Sequence, residues 1–181
     1  RIRDSEEEVF GELRVTTTTG FGTLWLAPRL SKLYDKYPDL KVDLMLEERV
    51  LDLPMREADV AIRLKEPSQA DLVRKRLMTV RMCLYASSTY LEASHRLICQ
   101  NTGSDQVGAG LHLIQQLMMY DIRSLLTVNN YFGVLQAVLN NLGIGVLPDY
   151  LLQDFPDLVR VLPEIESADV PVFLAYPEEL R

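Results

Sequence analysis

Four consecutive threonines, Thr16 to Thr19, stand where a short β-rich run of this sequence gives way to a helical pattern. Thr17 ends the run 13–17, and Thr18 and Thr19 follow it and precede a turn that contains two glycines. Hydroxyls and free N–H groups at the start of a helix attract anions, so we predict a ligand role for Thr18 or Thr19. Threonines also suit strands and helix caps, which is the structural alternative.

An arginine closes the stretch 59–63, in which three apolar residues separate Asp59 from Arg63. An uninterrupted apolar run is typical of a central strand of a parallel sheet, covered on both faces. Ligands of open α/β sheets bind beyond the carboxyl ends of the strands, so we predict that Arg63 meets a ligand. Its guanidinium can donate two hydrogen bonds to a carboxylate or phosphate. An ion pair with an acidic side chain is the alternative.

Further candidates lie in the second half of the chain. Asn129 and Asn130 stand between a predicted strand and a predicted helix, where they either cap the helix or contact a ligand. Cys99 is either a buried, unreactive thiol or, if its pKa were lowered, a sensor of oxidants.

Composition excludes several function classes. The 181 residues carry a net charge of −7, which disfavours nucleic-acid binding by this chain alone. Neither a signal peptide nor a membrane span is apparent, and Cys83 and Cys99 form no Cys-x-x-Cys pair. His95 and His112 have no nearby Cys or His, and no nucleophile motif occurs. We therefore predict a non-enzymatic, cytoplasmic protein without metal or cofactor. Since it begins with Arg1, we expect a fragment of a longer protein.

Hydrophobic periodicity predicts the order strand, helix, strand, helix, strand in the first third of the chain, which is the doubly wound α/β pattern. The predicted elements there are 13–17, 23–37, 42–46, 51–57 and 59–63. Beyond them the pattern predicts a long strand over 74–86, which can leave one lobe and enter another. The remaining predictions are strands at 97–99, 126–128, 143–148, 158–162 and 172–176, and helices at 89–93, 113–120, 131–142 and 150–155.

Several segments resemble the effector-binding domain of LysR-type transcriptional regulators, in order and in spacing. The resemblance runs from Gly11 to the end, and residues 100–126 fit it poorly. The matching segments are Gly11-x-Leu13-Arg14-Val15, Leu26-Ala27-Pro28 through Tyr37-Pro38, Arg56 through Arg63, Gly143-Ile144-Gly145-Val146-Leu147-Pro148-Asp149-Tyr150, and the ending Tyr176 through Arg181. Several segments are similar in sequence to an LsrB-like branch of these regulators.

The resemblance implies a type-2 periplasmic-binding-protein fold: two Rossmann-like α/β lobes joined by two crossing strands, near 81–86 and 171–176. The implied organisation is a linker end at 1–10, lobe I from 11–83 and 173–181, and lobe II from 84–172. A winged helix-turn-helix that binds DNA belongs before the linker and is absent from this chain.

Function and partners follow from the same resemblance. The implied role is a regulatory domain that holds a small, anionic effector between its lobes and transmits binding to dimer and tetramer packing. DNA is contacted only through the missing domain, RNA polymerase is a further candidate partner, and no membrane is involved. Two alternatives are a redox sensor that uses Cys99 and a transport-type solute-binding protein. The implied effector contacts are Thr17, Thr18, Thr19, Phe21, Arg63, Cys99, Asn129, Asn130 and Gly145.

Overall fold

The computed structural model describes residues 10–53, 56–90, 96–100, 113, 115–117, 119–120 and 122–180. The chain divides into two compact units, one formed by Arg1–Met78 with Val172–Arg181 and the other by Thr79–Pro171. Within the described part, no helix is both long and apolar enough to cross a membrane.

Among the described residues, nine strands and several short helices form the regular structure. The strands are β1 (Gly11–Thr17), β2 (Leu40–Leu46), β3 (Val60–Arg63), β4 (Leu72–Ser87), β5 (Arg96–Gln100), β6 (Arg123–Val128), β7 (Ile144–Pro148), β8 (Leu158–Arg160) and β9 (Ala168–Pro177). Three α-helices are α1 (Thr19–Phe21), α2 (Leu30–Lys36) and α3 (Tyr131–Leu139), and the described residues 113 and 115–117 are helical as well.

In the first unit, β1 lies between β2 and β3 and runs parallel to both. On its other side β3 pairs with β9 in the antiparallel direction, so the predicted central strand is correct but its surroundings are mixed rather than parallel. Because Thr17 pairs with Leu46 and with Ile62, the residues that follow β1, β2 and β3 meet at one edge.

One continuous helical run covers 19–36, close to the predicted 23–37. It begins as α1, widens to a π-helix over Gly22–Leu26, tightens to a 3-10 turn over Ala27–Arg29 and ends as α2. Pro28 lies in the 3-10 turn, where its missing N–H is tolerated. Gly22 permits close approach to the sheet, since a methyl group on it would lie 2.6 Å from Cγ2 of Thr17.

The predicted helix at 51–57 is wrong for its described residues. Leu51 and Leu53 lie in irregular structure and a turn, as do Arg56 and Glu57. Leu51 and Leu53 are nonetheless buried in the core of this unit with Ala58, Ala61 and Ala175. Burial alone explains their apolar character, and the helical periodicity was therefore a false signal.

The second unit packs α3 against a mixed sheet. β7 pairs with β4 in the antiparallel direction and with β5 in the parallel direction, and β5 pairs in parallel with β6. Val134, Leu135 and Val138 of α3 are buried, as are Ile144 and Leu147 of β7. The predicted helix at 150–155 is instead a 3-10 helix at Asp149–Gln153.

The fold class predicted from the sequence is confirmed: two α/β units are joined by strands that run from one into the other. The chain leaves the first unit within β4, after Met78, and returns within β9, at Val172. Most residues of the predicted helix at 89–93 lie outside the described part, as do 101–111. In the predicted helix at 113–120, the described residues 113 and 115–117 are helical, whereas 119 and 120 lie in a turn and a bend.

Candidate functional site

The turn after β1 brings together buried hydroxyl groups. Thr16 and Thr17 are fully buried, and Thr18 is 7% exposed. Thr18 holds the N-cap position of the helical run with an extended backbone, but its side chain makes no cap hydrogen bond. Among the described residues, the hydroxyls of Thr17 and Thr18 have no hydrogen-bond partner. Such groups are costly to bury and are typical of places where a ligand completes the hydrogen bonding.

A carboxylate occupies the start of the helical run. The backbone N–H of Thr19 donates to Oε1 of Glu48 at 2.8 Å. Glu48 was not among the residues predicted from the sequence. No sequence pattern indicated it, because the residues just after β2 come to lie beside Thr18 and Thr19 only through the parallel pairing of Thr17 with Leu46. The N–H of Glu47 donates to the Thr17 carbonyl at 3.0 Å and extends that pairing by one step.

Arg63 lies at the end of β3, as predicted, and its side chain is 6% exposed. Its Nη1 donates to the Glu47 carbonyl at 2.7 Å, and its Nη2 donates to the Arg49 carbonyl at 2.8 Å and to Oγ1 of Thr16 at 2.9 Å. Among the described residues its Nε has no partner. The guanidinium therefore clamps the segment 47–49 to the end of β1.

Burial governs the electrostatics of Arg63. Removal from water lowers the pKa of the guanidinium, and the nearby carboxylates of Glu48 and Glu47 oppose that change. The group stays a cation at neutral pH, because the ordinary pKa of arginine lies so far above 7. Its positive charge beside Glu48 stabilises the carboxylate in the position where it meets Thr19.

Phe21 and Asp59 support this region from two sides. Phe21 is 1% exposed and stacks on Trp25, with 4.9 Å between the ring centroids. Asp59 accepts a hydrogen bond from the Arg14 backbone N–H at 2.8 Å and lies 3.4 Å from the Arg14 guanidinium. Asp59 therefore ties the start of β3 to β1, whereas the stack of Phe21 on Trp25 lies within the helical run.

The candidate residues of the second unit have structural contacts of their own. Asn130 caps α3, because its Oδ1 accepts from the Gly133 N–H at 3.0 Å, and its Nδ2 donates to Asn129. Gly145 is required by packing, since a methyl group there would lie 2.5 Å from Cγ1 of Val134.

Cys99 is partly buried on β5, and the Ser124 hydroxyl donates to its sulfur at 3.3 Å. The other cysteine, Cys83, is buried on β4. Across the described ranges, no cluster of three or more His, Cys, Asp or Glu side chains is arranged to hold a metal ion. The structure thus gathers Thr17, Thr18, Thr19 and Arg63 around segment 47–49, and it places Cys99, Asn129, Asn130 and Gly145 in the other unit.

Comparison with known proteins gives a consistent picture. The family described as LysR substrate binding domain matches residues 6–181. An uncharacterized HTH-type transcriptional regulator of Haemophilus influenzae is 25% identical over 92% of this chain and 63% of its own length. The HTH-type transcriptional regulator PtxR of Pseudomonas aeruginosa is 23% identical over 97% of this chain and 61% of its own. The chain thus spans about six tenths of these relatives.

Solved structures agree on the fold. The regulatory domain of CrgA, a LysR-type transcriptional regulator from Neisseria meningitidis, superposes with a TM-score of 0.77 at 23% identity, covering 94% of this chain and 90% of that domain. The effector domain of the transcriptional regulator AmpR of Pseudomonas aeruginosa superposes with a TM-score of 0.71 at 16% identity, covering 93% and 86%.

Proposed function

This chain belongs to the family of LysR substrate-binding domains, and from that premise we propose that it is the effector-sensing part of a transcriptional regulator. The observation that carries the proposal is the family match over nearly the whole chain. Relatives that extend beyond the matched length are named as HTH-type transcriptional regulators, which favours a DNA-binding domain elsewhere in the full protein.

We place the effector at the turn formed by Thr17, Thr18 and Thr19. Two buried hydroxyls without described partners support this assignment, because each can donate to and accept from a small polar ligand. The location at the carboxyl end of a strand in an α/β sheet supports it too. We propose that the effector is anionic, because the Thr19 N–H at the start of the helical run already binds a carboxylate oxygen.

Transmission to DNA is the second part of the proposal. Effector binding shifts the population of lobe arrangements. The size of the shift is set by how much more tightly the effector binds one arrangement than another. We propose that the shift alters how copies of the regulator pack as dimers and tetramers, and thereby the spacing of their DNA-binding domains. The regulator works in the cytoplasm, where its DNA lies, and RNA polymerase is a further proposed partner.

Two further predictions concern residues of the second unit. Asn129, Asn130 and Gly145 are predicted effector contacts in the second unit, in addition to their packing and capping roles. Oxidation of Cys99 is the alternative signal that the LsrB-like resemblance implies. A Cys99→Ser variant that keeps its full response to peroxide would remove that alternative.

A thermal-shift screen of small organic acids against this chain tests the function. A ligand that binds the folded state raises the unfolding midpoint. Thr18→Val removes the buried hydroxyl at nearly constant volume and is expected to abolish or strongly weaken the shift. Thr127→Val is the matched control, because Thr127 is an exposed threonine on β6. Equal responses from both variants would place the effector elsewhere, and a screen without any ligand would count against an effector-sensing role.

A further inference from the structure

The start of the helical run at 19–36 is capped by a side chain from another strand. Helices are ordinarily capped by a hydroxyl or carboxylate at the N-cap residue itself. Thr18 occupies that position, yet its buried hydroxyl makes no cap bond, and Glu48 accepts from the Thr19 N–H instead. A carboxylate at a helix N-terminus is stabilised by the free N–H groups and by the helix dipole. The position where an acidic ligand would bind is therefore already taken by an acid of the protein.

The backbone on both sides of Glu48 is held in place. Arg63 donates to the carbonyls of Glu47 and Arg49, the residues that flank Glu48. The Glu47 N–H donates to the Thr17 carbonyl, which ties the segment to the end of β1. Arg63 is thus a positioning residue for the Glu48 carboxylate.

The carboxylate is held by one of its two oxygens. Oε1 accepts from Thr19, whereas Oε2 is buried and has no hydrogen-bond partner among the described residues. A buried charged oxygen without a donor loses its hydration without gaining a hydrogen bond, and the nearby charge of Arg63 is its electrostatic compensation. The Thr17 and Thr18 hydroxyls nearby are also without described partners. A ligand that forms hydrogen bonds with more of these groups than Glu48 does would therefore bind with a favourable free energy.

We propose that Glu48 is an internal competitor for the acid group of the effector. An effector carboxylate replaces Glu48 on the Thr19 N–H, and its second oxygen accepts from a threonine hydroxyl. The proposal rests on the proposed function in placing the effector at this turn. It adds the ligand class, a carboxylic acid, and a determinant of affinity that is specific to this chain. Arg63, at the end of β3, donates to the carbonyls on both sides of Glu48. Displacement of Glu48 therefore changes the hydrogen bonds of Arg63.

Acetate is the simplest probe of the exchange. Wild type, Glu48→Ala and Glu48→Gln are titrated with sodium acetate against sodium chloride at equal ionic strength, and the Thr19 amide is followed by ¹H–¹⁵N NMR. Glu48→Ala is expected to bind acetate about tenfold or more tightly than wild type, the scale of one charged hydrogen bond. Glu48→Gln, which keeps a neutral acceptor, is expected to fall between them.

Glu47→Ala is the matched control. Glu47 is the neighbouring acid, its side chain pairs with Arg49 at 2.7 Å, and it makes its tie to Thr17 through the backbone, which the substitution keeps. If the gain in acetate affinity came only from lowering the local negative charge, Glu47→Ala would show it as well. Equal gains in the two alanine variants, or no gain in Glu48→Ala, would overturn the proposal.

A second pair of variants addresses the N–H itself. Proline is tolerated at the first helical position, and the extended Thr18 backbone (φ −67°, ψ 150°) suits a residue before proline. Because proline has no N–H to follow, binding is read here at the Gly20 amide. In the Glu48→Ala background, Thr19→Pro is expected to abolish acetate binding, whereas Thr19→Ala keeps the N–H and should retain it. Retention in the proline variant would contradict the assigned donor.

The outcomes separate this inference from the proposed function. Acetate binding that depends on Glu48, in a chain that responds to no other organic acid in the thermal screen, would support the competitor and count against the effector-sensing role. An effector that binds wild type and Glu48→Ala equally would support the sensing role and overturn the competitor.

Discussion

At the scale of single residues, Arg63 shows how a charged side chain at a strand end is used. It was predicted to meet a ligand, and that role stays a prediction. The contacts observed are with the protein itself: two carbonyls of segment 47–49 and the Thr16 hydroxyl. These bonds explain why a cation that is 6% exposed is stable there, since buried charges persist only with hydrogen-bond partners.

Replacing Arg63 by Met should therefore destabilise the first unit whether or not an effector is present. One buried and two partly buried acceptors lose their donor, and we expect the free energy of unfolding to fall by roughly 3 kcal/mol. Urea denaturation measures the loss, and amide hydrogen exchange locates it in β1, β2 and β3.

Arg49→Met is the control for the change of side chain. Arg49 is exposed and pairs at the surface with Glu47, while the carbonyl that Arg63 uses is unaffected. Surface ion pairs contribute about 0–1 kcal/mol, so this variant should stay near wild type. Similar losses in both variants would mean that the clamp contributes little.

At the scale of elements, close approach between helix and sheet is secured by glycine in both units. Gly22 lets the helical run approach Thr17 of β1, and Gly145 lets α3 lie on β7. In the second unit the facing residues are Val134 and Val138, which are buried and stiff at χ1. A side chain at 145 therefore has no room to displace its neighbours.

Gly145→Ala is expected to reduce the free energy of unfolding by about 1–3 kcal/mol through overpacking. Val134→Ala removes the methyl group that obstructs the new side chain, so the double variant should lose less than the sum of the two single losses. Chemical denaturation of the four proteins in the cycle gives the coupling free energy.

Val159→Ala provides a reference for independent sites. Val159 is 40% exposed on β8, and its combination with Gly145→Ala should be additive. A Gly145→Ala variant as stable as wild type, or a strictly additive pair with Val134→Ala, would refute the packing argument.

At the scale of the whole molecule, family membership accounts for the two-unit architecture and for strands β4 and β9 that run between the units. The resemblance also implies that the first helix of one copy meets the helix at 131–142 of another across a two-fold axis. We predict this dimer for the present chain. Tyr34, on α2, is 38% exposed and supplies apolar surface for such a contact.

Tyr34→Glu should weaken self-association by placing a charge in a contact that excludes water. Sedimentation velocity over a range of concentrations measures the effect. Leu152→Glu is the control, because Leu152 is 41% exposed on the 3-10 helix at Asp149–Gln153, outside the predicted contact. A wild-type chain that stays monomeric at high concentration would refute the dimer itself.

The sequence by itself determined the fold class and the approximate place of most elements. The spacing of apolar residues is a local signal, so β1, β2, β3, the helical run at 19–36 and α3 were predictable from β-rich or apolar runs, from alternation and from helical spacing. It failed at 51–57, where Leu51 and Leu53 are apolar because they are buried and not because they lie on a helix. The position of Arg63 at the end of β3 was likewise predictable, since it needed only the limits of one strand.

The partners of each candidate residue were decided by the tertiary structure. Glu48 lies 29 residues from Thr19 in sequence, and Arg63 reaches back 16 residues to the Glu47 carbonyl. These contacts depend on the register of β1 with β2 and with β3, which one sequence does not specify. A hydrogen bond needs its two atoms within about 3 Å, and only the folded arrangement of three strands brings Thr19, Glu48 and Arg63 to that precision.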